Sequence, residues 1–435
     1  MTTTSGLGGR IAPATAAPTG GTGALENAGG TRVAYLIARY PFPARRGKNV
    51  RQAAILRALM SCSSTALVIC EPDGSDATAA ADGVEVHALT PTPRSGRLTD
   101  GARAIAALGR AHGVLARRYL HRRALAQLDE VLARVSPDVL VVGSLDLIAA
   151  AEIGRRRGCI VVVDSDDVQS MRTASIARSL PRSALAGRAY HWLLTANYRA
   201  IERRRLVAAD QVWVSSATEA QELDRLIHHP VVVVVPNVLD LDRYRVVAEP
   251  AGEPVIGFLG NYGYQPNEQA AFDLIAMQRR LRARGCASRL KLIGIGPTAG
   301  MRAAAQGEPS IEITGEVPDV ATALAGITVL AAPLRAGGGT KIKILESMAC
   351  GRCVITTASG AEGLAAHAGE HLVVADGEHF DAAVTDLLTD ADRRARIASA
   401  GRAFVAERFS LTSLRRTLGV ELGHLVARRA PVARV

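Results

Sequence analysis

The chain has 435 residues, a formal net charge of +11, 48% hydrophobic residues and 4% aromatic residues. This length suits two domains better than a single core. The basic balance favours an anionic partner, such as a phosphorylated small molecule, a nucleic acid or an acidic lipid. A nucleic-acid-binding protein is the weaker alternative, because no recognition motif occurs and aromatic side chains for base stacking are scarce.

The first 30 residues are rich in Gly, Thr, Ala and Pro. Such a composition is typical of disorder, so we predict a disordered tail over residues 1–30. No apolar run in it resembles the core of a secretory signal. No run elsewhere approaches the roughly 18 apolar residues that a membrane span needs. We therefore expect a cytoplasmic protein.

Short apolar runs alternate with helical patterns between residues 31 and 235. This alternation predicts a parallel sheet with helices on both faces. An Arg- and Ala-rich helical region is expected over about 99–135. The predicted strands are RVAYLIARY, TALVIC, VEVHAL, DVLVVG, CIVVVDSDD, QVWVSS and VVVVVP.

The same pattern restarts after a Pro- and Asp-rich linker, PNVLDLDRYRVVAEPAGEP, and gives a second domain over residues 236–409. Its predicted strands are VIGFLG, RLKLIGIG, IEITG, ITVLAAP, CVITT and HLVVA. The fold class is therefore α/β, with two doubly wound Rossmann-like domains that face a central cleft. A helical pattern over residues 410–435 is expected to cross back to the N-terminal domain.

Four glycine-rich segments follow strands of the second series: GNYGYQPN, GIGPTAG, TGEVPD and PLRAGGGTK. Because doubly wound domains bind ligands outside the carboxyl ends of their strands, these loops are expected to face one cleft. No G-x-x-x-x-G-K-[ST] phosphate loop occurs, which argues against an ATPase. The ligand-contact candidates in the first three loops are Gly260, Asn261, Gly294, Gly296 and Gly315.

The fourth segment, extended to PLRAGGGTKIKILE, is the most specific of the four. Three consecutive glycines free the backbone to point N–H groups at an anion just before a helix begins. Two lysines and an arginine can stabilise a diphosphate leaving group without a metal, and the glutamate can accept hydrogen bonds from sugar hydroxyls. A solvated basic helix start is the alternative. The candidates are Arg335, Gly337, Gly338, Gly339, Thr340, Lys341, Lys343 and Glu346.

Several segments together resemble the GT-B glycosyltransferases of retaining family 4, also called glycosyl transferases group 1. These segments are VVPNVLDLDRY, VIGFLGNYGYQPNEQA, LKLIGIGP, ITGEVPDV and VLAAPLRAGGGTKIKILESMACGRCVITTASGAEGL, in the family's order. The resemblance covers nearly the whole chain after the tail. It implies transfer of a sugar from a nucleotide-diphosphate sugar to an acceptor hydroxyl, with retention of configuration and without a metal or cofactor.

The chain departs from the family pattern at two places. By resemblance Glu346 is the second glutamate of the E-x7-E motif, which usually holds the nucleotide ribose, but the first glutamate would fall at Gly338. The usual Arg/Lys pair after the first strand of the domain is also missing, because no basic residue occurs from Asn261 to Asn267. The residues expected to take the diphosphate role are Arg335, Lys341 and Lys343.

The N-terminal domain is expected to hold the acceptor. The segment YPFPARRGKNVRQAAIL resembles the family's first glycine-rich loop, so Gly47 and Lys48 are candidates to approach the donor phosphates or the acceptor; a surface turn is the alternative. Asp166 and Asp167 follow a strand and are candidates to orient or deprotonate the acceptor hydroxyl, unless they only cap the next helix. Residues 215–218 are predicted to cap a helix.

Three further interpretations stay open. A sugar-nucleotide epimerase of the same shape would share the donor site without an acceptor. The basic segments LARRYLHRRALAQL and YRAIERRRL could contact acidic lipid, although a solvated face is favoured. The C-x-x-C at Cys350 and Cys353 has no second pair nearby, so packing is favoured over a metal site. The sugar, the base and the acceptor are undetermined, and both antibiotic glycosylation and cell-surface glycan assembly fit.

Overall fold

A computed structural model of the chain describes residues 30–42, 47–70, 84–90, 120–227, 231–246, 248–336 and 339–429. The predicted N-terminal tail therefore lies outside the described residues except for Gly30. So do residues 99–119 of the long helical region, Gly337 and Gly338 of the glycine run, and residues 430–435.

The N-terminal sheet has seven strands in the order β3-β2-β1-β4-β5-β6-β7, and every described strand pair is parallel. The order reverses between β1 and β4, which opens a crevice at the carboxyl ends of the strands. The strands are β1 (Arg32–Ile37), β2 (Ser64–Ile69), β3 (Glu85–Ala88), β4 (Val139–Val142), β5 (Ile160–Asp164), β6 (Gln211–Val214) and β7 (Val231–Val234).

Helices cover both faces of this sheet, which explains why its strands are apolar throughout rather than alternating. Ala34 and Leu36 of β1 pack into the core on one face, whereas Val33, Tyr35 and Ile37 pack into the core on the other. The helices are α1 (Gly47–Cys62), α2 (Arg122–Val135), α3 (Ala150–Arg156), α4 (Gln169–Ser179), α5 (Leu185–Arg205) and α6 (Ala217–Leu226). Short 3-10 turns span Leu145–Leu147 and Leu206–Ala208.

The C-terminal sheet has six parallel strands in the order β10-β9-β8-β11-β12-β13. It reverses between β8 and β11, in the same way as the first sheet. The strands are β8 (Val255–Leu259), β9 (Arg289–Ile293), β10 (Ile311–Gly315), β11 (Val329–Ala332), β12 (Cys353–Thr356) and β13 (Val373–Val374). The predicted α/β class with two doubly wound domains is confirmed.

The second sheet is also covered on both faces. A 3-10 turn, Leu241–Arg243, lies between the sheets. The helices are α7 (Gln265–Ala283), α8 (Ala299–Ala305), α9 (Val320–Ala325), α10 (Ile342–Ala349), α11 (Ala358–Ala361), α12 (His379–Thr389), α13 (Ala391–Arg408) and α14 (Leu411–Arg429). Cys350 and Cys353 are free and buried, as expected of packing residues.

The last helix, α14, packs on the N-terminal domain. Leu414, Leu418, Leu422 and Leu425 follow helical spacing and are buried in the core that contains α1. The chain reaches α14 beside the linker, where the backbone N–H of Leu239 donates to the Phe409 carbonyl at 2.8 Å. None of the helices in the described part of the chain combines the length and the apolar character that crossing a bilayer requires.

Candidate active site

The carboxyl ends of the two sheets meet in a cleft between the domains. On the N-terminal side, β5 runs into Asp166 and Asp167, and β6 runs into Ser215. On the C-terminal side, the loops after β8, β9, β10 and β11 carry the glycine-rich segments. Parallel strands place these loops together because all of them exit at the same edge of each sheet.

The loop before α10 touches the N-terminal domain. The backbone N–H of Thr340 donates to Ser215 Oγ at 3.2 Å, and Thr340 Oγ1 donates to the Ser215 carbonyl at 3.2 Å. Gly339 has a φ of +57°, and a Cβ at this position would overlap the carboxylate of Asp167. Glycine is therefore required here both by the backbone conformation and by the close approach of the opposite domain.

Glycines also let the first two loops of the C-terminal domain touch each other. Gly294 has a φ of +136°, and a Cβ on it would overlap the carbonyl oxygen of Gly260. Gly296 and Gly315 also have positive φ values, of +68° and +74°. The Asn261 side chain accepts a hydrogen bond from the backbone N–H of Gly263 at 3.0 Å, which shapes the turn after β8. The loops therefore present backbone rather than side chains toward the cleft.

Lys343 lies in the first turn of α10 and reaches the first turn of α7, directly after the loop that follows β8. Its Nζ donates to Asn267 Oδ1 at 2.5 Å and lies 4.5 Å from the centre of the Phe258 ring. Burial lowers the pKa of Lys343 to about 7, and the nearby Glu346 charge opposes this shift. An amine with such a pKa is poised to take up a proton when an anion binds beside it.

Lys341 hydrogen-bonds to the backbone of the loop that precedes α10. The Nζ atom of Lys341 donates to the carbonyl oxygens of Gly339 at 3.0 Å and of Glu362 at 3.2 Å. Burial lowers the pKa of this lysine as well, while the charge of Glu362 opposes the shift. The ammonium group therefore holds the backbone of the loop in place while lying inside the cleft.

Glu346 lies one turn further along α10 and is buried. The hydroxyl of Tyr244 donates to its Oε1 at 2.8 Å. Burial raises the pKa of Glu346 to about 7, and the Tyr244 hydrogen bond is the largest opposing influence. A carboxylate held by one donor, with a second oxygen available, can accept hydrogen bonds from a ligand hydroxyl.

Asp166 and Asp167 form an acidic pair on the opposite wall. Asp166 adopts a φ of +54°, a conformation uncommon for residues other than glycine and typical of functional sites. Burial, and after it the charge of Asp167, raise its pKa to about 7. Helix α4 begins at Gln169 without a side-chain cap, so the alternative in which these residues only cap that helix is wrong.

A buried network supports the acidic pair. Arg51 on α1 donates to Asp164 at 2.5 Å, and its Nε lies 3.7 Å from Asp166 Oδ1. Glu219 accepts from the backbone N–H of Val168 at 3.0 Å and from Ser215 Oγ at 2.6 Å. These bonds connect the loop that carries the acidic pair to α1 and α6.

Ser216 caps α6, as predicted for the 215–218 segment. Its Oγ accepts a hydrogen bond from the backbone N–H of Glu219 at 3.3 Å. Ser215, which precedes the cap, contacts Thr340 across the cleft, a role that the local sequence pattern did not indicate.

The remaining candidates lie at the margins of the cleft. Gly47 begins α1, and the side chain of Lys48 is exposed, with its Nζ 3.9 Å from Asp146 Oδ2. Arg335 is also exposed, and its guanidinium donates to Asp273 of α7 at 2.9 Å. The structure thus brings Lys341 and Lys343 into the cleft, whereas Arg335 is exposed and pairs with Asp273 on α7.

Three site residues carried no local signal that sequence reasoning could use. Tyr244 lies in the linker, and only its proximity to Glu346 in space gives it a role. Asn267 stands in the segment noted for its lack of basic residues, and its partner Lys343 is 76 positions away. Arg51 follows a valine in an otherwise apolar helix face and pairs with Asp164, 113 positions away.

A cavity of about 590 Å³ lies far from these residues. It is lined by Arg32, Asp138 and Ile160, at the amino ends of their strands, together with Arg157. The cavity therefore lies at the amino edge of the N-terminal sheet, away from the cleft, whereas doubly wound folds bind ligands at the carboxyl edge. We therefore assign the functional site to the cleft between the domains.

The fold is shared with solved glycosyltransferase structures. Sucrose-phosphate synthase from Thermosynechococcus elongatus is 16% identical, with a TM-score of 0.69 over 92% of this chain and all of that chain. HepE of Anabaena in complex with UDP and glucose is 13% identical, with a TM-score of 0.65 over 91% of this chain and all of that chain. WaaG, a glycosyltransferase involved in lipopolysaccharide biosynthesis, is 16% identical, with a TM-score of 0.60 over 90% of this chain and 99% of that chain.

These likenesses, together with the two facing sheets, define a GT-B fold. Residues 253–390, which lie in the C-terminal domain, match the model of the family of glycosyl transferases group 1. The resemblance stated from the sequence is confirmed. No curated protein matches the sequence significantly.

Proposed function

We propose that the protein transfers a sugar from a UDP-sugar, bound on the C-terminal domain, to an acceptor hydroxyl held by the N-terminal domain. The observation that carries this proposal is the placement of Lys343 and Glu346 on one turn of α10, beside the glycine-rich loops, where Glu346 is buried and Lys343 is partly buried. UDP is the nucleotide because HepE, a protein of the same fold, is described in complex with UDP and glucose.

The donor nucleotide is held by the first turns of α10. Glu346 accepts hydrogen bonds from the ribose hydroxyls, while Tyr244 fixes the orientation of the carboxylate. The diphosphate lies against the backbone of the loop that ends at Gly339 and beside the ammonium group of Lys343. Charge that develops on the leaving diphosphate is stabilised by these fixed groups, so no metal ion is required.

The acceptor reaches the sugar from the side of Asp166 and Asp167. The acceptor oxygen forms a bond to the anomeric carbon as the bond to the diphosphate breaks. Asp166, with its pKa raised to about 7 by burial, accepts the proton that the acceptor hydroxyl releases, and UDP leaves with the electron pair of the broken bond. Transfer with retention of configuration is proposed from the resemblance to the retaining family.

Closure of the two domains completes the site. The hydrogen bonds from Thr340 to Ser215 join the donor loop to the strand end beside the acidic pair. Water is then excluded from the reacting groups, and the electrostatic contacts to the diphosphate become stronger.

Titration calorimetry with UDP, GDP and dTDP tests the donor assignment. We expect UDP to bind most tightly, and Glu346→Gln to weaken UDP binding about 10- to 100-fold, because a hydrogen bond to a charged acceptor is lost. Glu312→Gln serves as the control, since Glu312 is an exposed residue of β10 that pairs with Lys291. Equal affinities of Glu346→Gln and the unaltered protein would place the nucleotide elsewhere.

A further inference from the structure

One helix of the N-terminal domain carries an apolar face that no other described residue covers. On α5, the exposed fraction is 73% for Leu185, 46% for Tyr190, 42% for Trp192 and 46% for Leu193. These are four of the seven large hydrophobic side chains that are exposed in the described part of the chain. Their concentration on a single helix is unlike the scattered exposure that is normal for a protein surface.

Helical spacing brings three of these side chains, those of Leu185, Trp192 and Leu193, to one side together with two alanines. Leu185, Ala189, Trp192, Leu193 and Ala196 are separated by four, seven, eight and eleven positions, which follow one face of a helix. All five are exposed. The apolar face spans three turns and is about 17 Å long.

The opposite side of α5 packs on α4. Thr195 Oγ1 lies 2.9 Å from Thr173 Oγ1, and Glu202 Oε1 accepts from the backbone N–H of Ser170 at 3.1 Å. Thr195 and Glu202 are buried. The helix is thus anchored by its polar side, which leaves the apolar side directed outward.

Positive charge surrounds this face. Residues 169–208 contain eight arginines and a single acidic residue, Glu202, which is buried. Exposed arginines lie at the end of α4, between the helices and at the end of α5: Arg178, Arg182, Arg199, Arg203 and Arg204. The surface therefore combines a face of Trp and Leu side chains with a basic rim.

We propose that the outward face of α5 docks the protein on an anionic membrane surface. A helix with an apolar face, a Trp and basic flanks lies in the headgroup region, where aromatic rings prefer to sit and arginines meet lipid phosphates. A second copy of the chain is a poorer occupant, because symmetric pairing would bring two sets of arginines together.

The position of this face relative to the cleft suits such docking. Helix α4 begins at Gln169, two residues after Asp167, so the hairpin of α4 and α5 projects from the acceptor side of the active site. Docking through α5 would bring the acceptor side of the cleft toward the lipid surface. The C-terminal domain would make no contact with the lipid through this face.

Vesicle binding by the full chain tests the proposal. We expect the protein to sediment with phosphatidylcholine vesicles that contain about one quarter phosphatidylglycerol, to sediment poorly with pure phosphatidylcholine, and to be released by high salt. The chain has two tryptophans, and Trp213 is fully buried, so Trp192 reports contact with lipid. Its emission should shift to shorter wavelength when the anionic vesicles are added.

Surface variants distinguish vesicle binding through this face of α5 from binding through the overall positive charge of the chain. We expect Trp192→Ser/Leu193→Ser and Arg203→Glu/Arg204→Glu to reduce the bound fraction about tenfold or more, since each double change removes one of the two attractions. The controls are Val246→Ser and Arg302→Glu/Arg396→Glu, which alter exposed residues of the linker and of the C-terminal domain. All of these variants should retain UDP binding, so failure of the donor proposal and failure of this one are distinguishable.

Three results would overturn the proposal. The first is absence of binding to anionic vesicles at low salt, and the second is an unchanged Trp192 emission on vesicles that do bind. The third is a dimer that forms without lipid and is lost in Trp192→Ser/Leu193→Ser, which would assign the face to a second copy.

Discussion

Lys343 brings positive charge to a loop that has none of its own. No basic residue occurs from Asn261 to Asn267, yet the Lys343 ammonium lies 2.5 Å from the Asn267 side chain. The charge is supplied from α10 instead of from the loop after β8. Because the lysine is partly buried and its pKa is lowered, its proton affinity depends on whether an anion is present.

The affinity for UDP should therefore fall as the pH rises above 7. The pKa of Lys343 is lowered to about 7 by burial, so the free protein loses this charge above that pH. A bound diphosphate raises the pKa again, and binding then requires uptake of one proton. We expect the affinity to fall by up to about tenfold per pH unit. Titration calorimetry in two buffers with different ionisation enthalpies measures both the affinity and the proton uptake.

Lys343→Arg provides the matched variant for this pH dependence. A guanidinium stays charged throughout the range, so the slope above pH 7 should disappear. Lys291→Arg, which changes a lysine on β9 that pairs with Glu312, should leave the slope unchanged. A slope that persists in Lys343→Arg would show that another group titrates.

The junction of α1, β5 and the start of the linker depends on one buried arginine. Arg51 is 1% exposed and binds Asp164, which is fully buried. It also donates to the Val235 carbonyl at 2.7 Å and to Asn237 Oδ1 at 3.0 Å. A single side chain thus ties a helix, a strand and the segment that leaves the domain.

Removal of this arginine should destabilise the N-terminal domain strongly. In Arg51→Met the Asp164 carboxylate is left buried without a partner, which costs about 3–5 kcal/mol of the free energy of unfolding. Arg57→Met is the control on the same helix, because Arg57 is exposed and pairs with Asp240 at 2.7 Å. That change should cost at most about 1 kcal/mol. Urea denaturation followed by circular dichroism measures both, and equal losses would contradict the assignment.

Contact between the two domains depends on the absence of a side chain at Gly339. The loop backbone there lies against Asp167 and Ser215 of the opposite domain. The acidic pair and the donor loop can face each other only when the domains approach this closely. Closure and chemistry are thus coupled through one glycine.

Gly339→Ala should hold the domains apart. The added methyl group would overlap the Asp167 carboxylate, and a displacement of about 1 Å at the reacting groups can lower kcat about 100-fold. Gly307→Ala is the matched control, because Gly307 also has a positive φ, of +78°, but has nothing within 4 Å of an added Cβ. Turnover of UDP-sugar is the measurement. A kcat for Gly339→Ala no lower than that of Gly307→Ala would separate this contact from catalysis.

Local patterns were sufficient to predict the architecture. The apolar runs such as VVVVVP and VIGFLG became parallel strands, because strands covered on both faces must be apolar throughout. The glycine-rich segments became loops at the carboxyl edge, because parallel strands all exit there. The lysines and the glutamate of TKIKILE were recognisable as site candidates because they lie within about two helical turns of the glycines.

Pairs that are distant in the chain were decided only by packing. Lys343 with Asn267, Tyr244 with Glu346, and Arg51 with Asp164 each join positions more than 70 residues apart. A periodic pattern encodes which side of a strand or helix is buried, because burial repeats with the local geometry. It does not encode which polar partners meet, because that depends on how helices and sheets are placed in three dimensions. The outward apolar face of α5 follows from the same cause, since only the packed fold leaves that side of the helix uncovered.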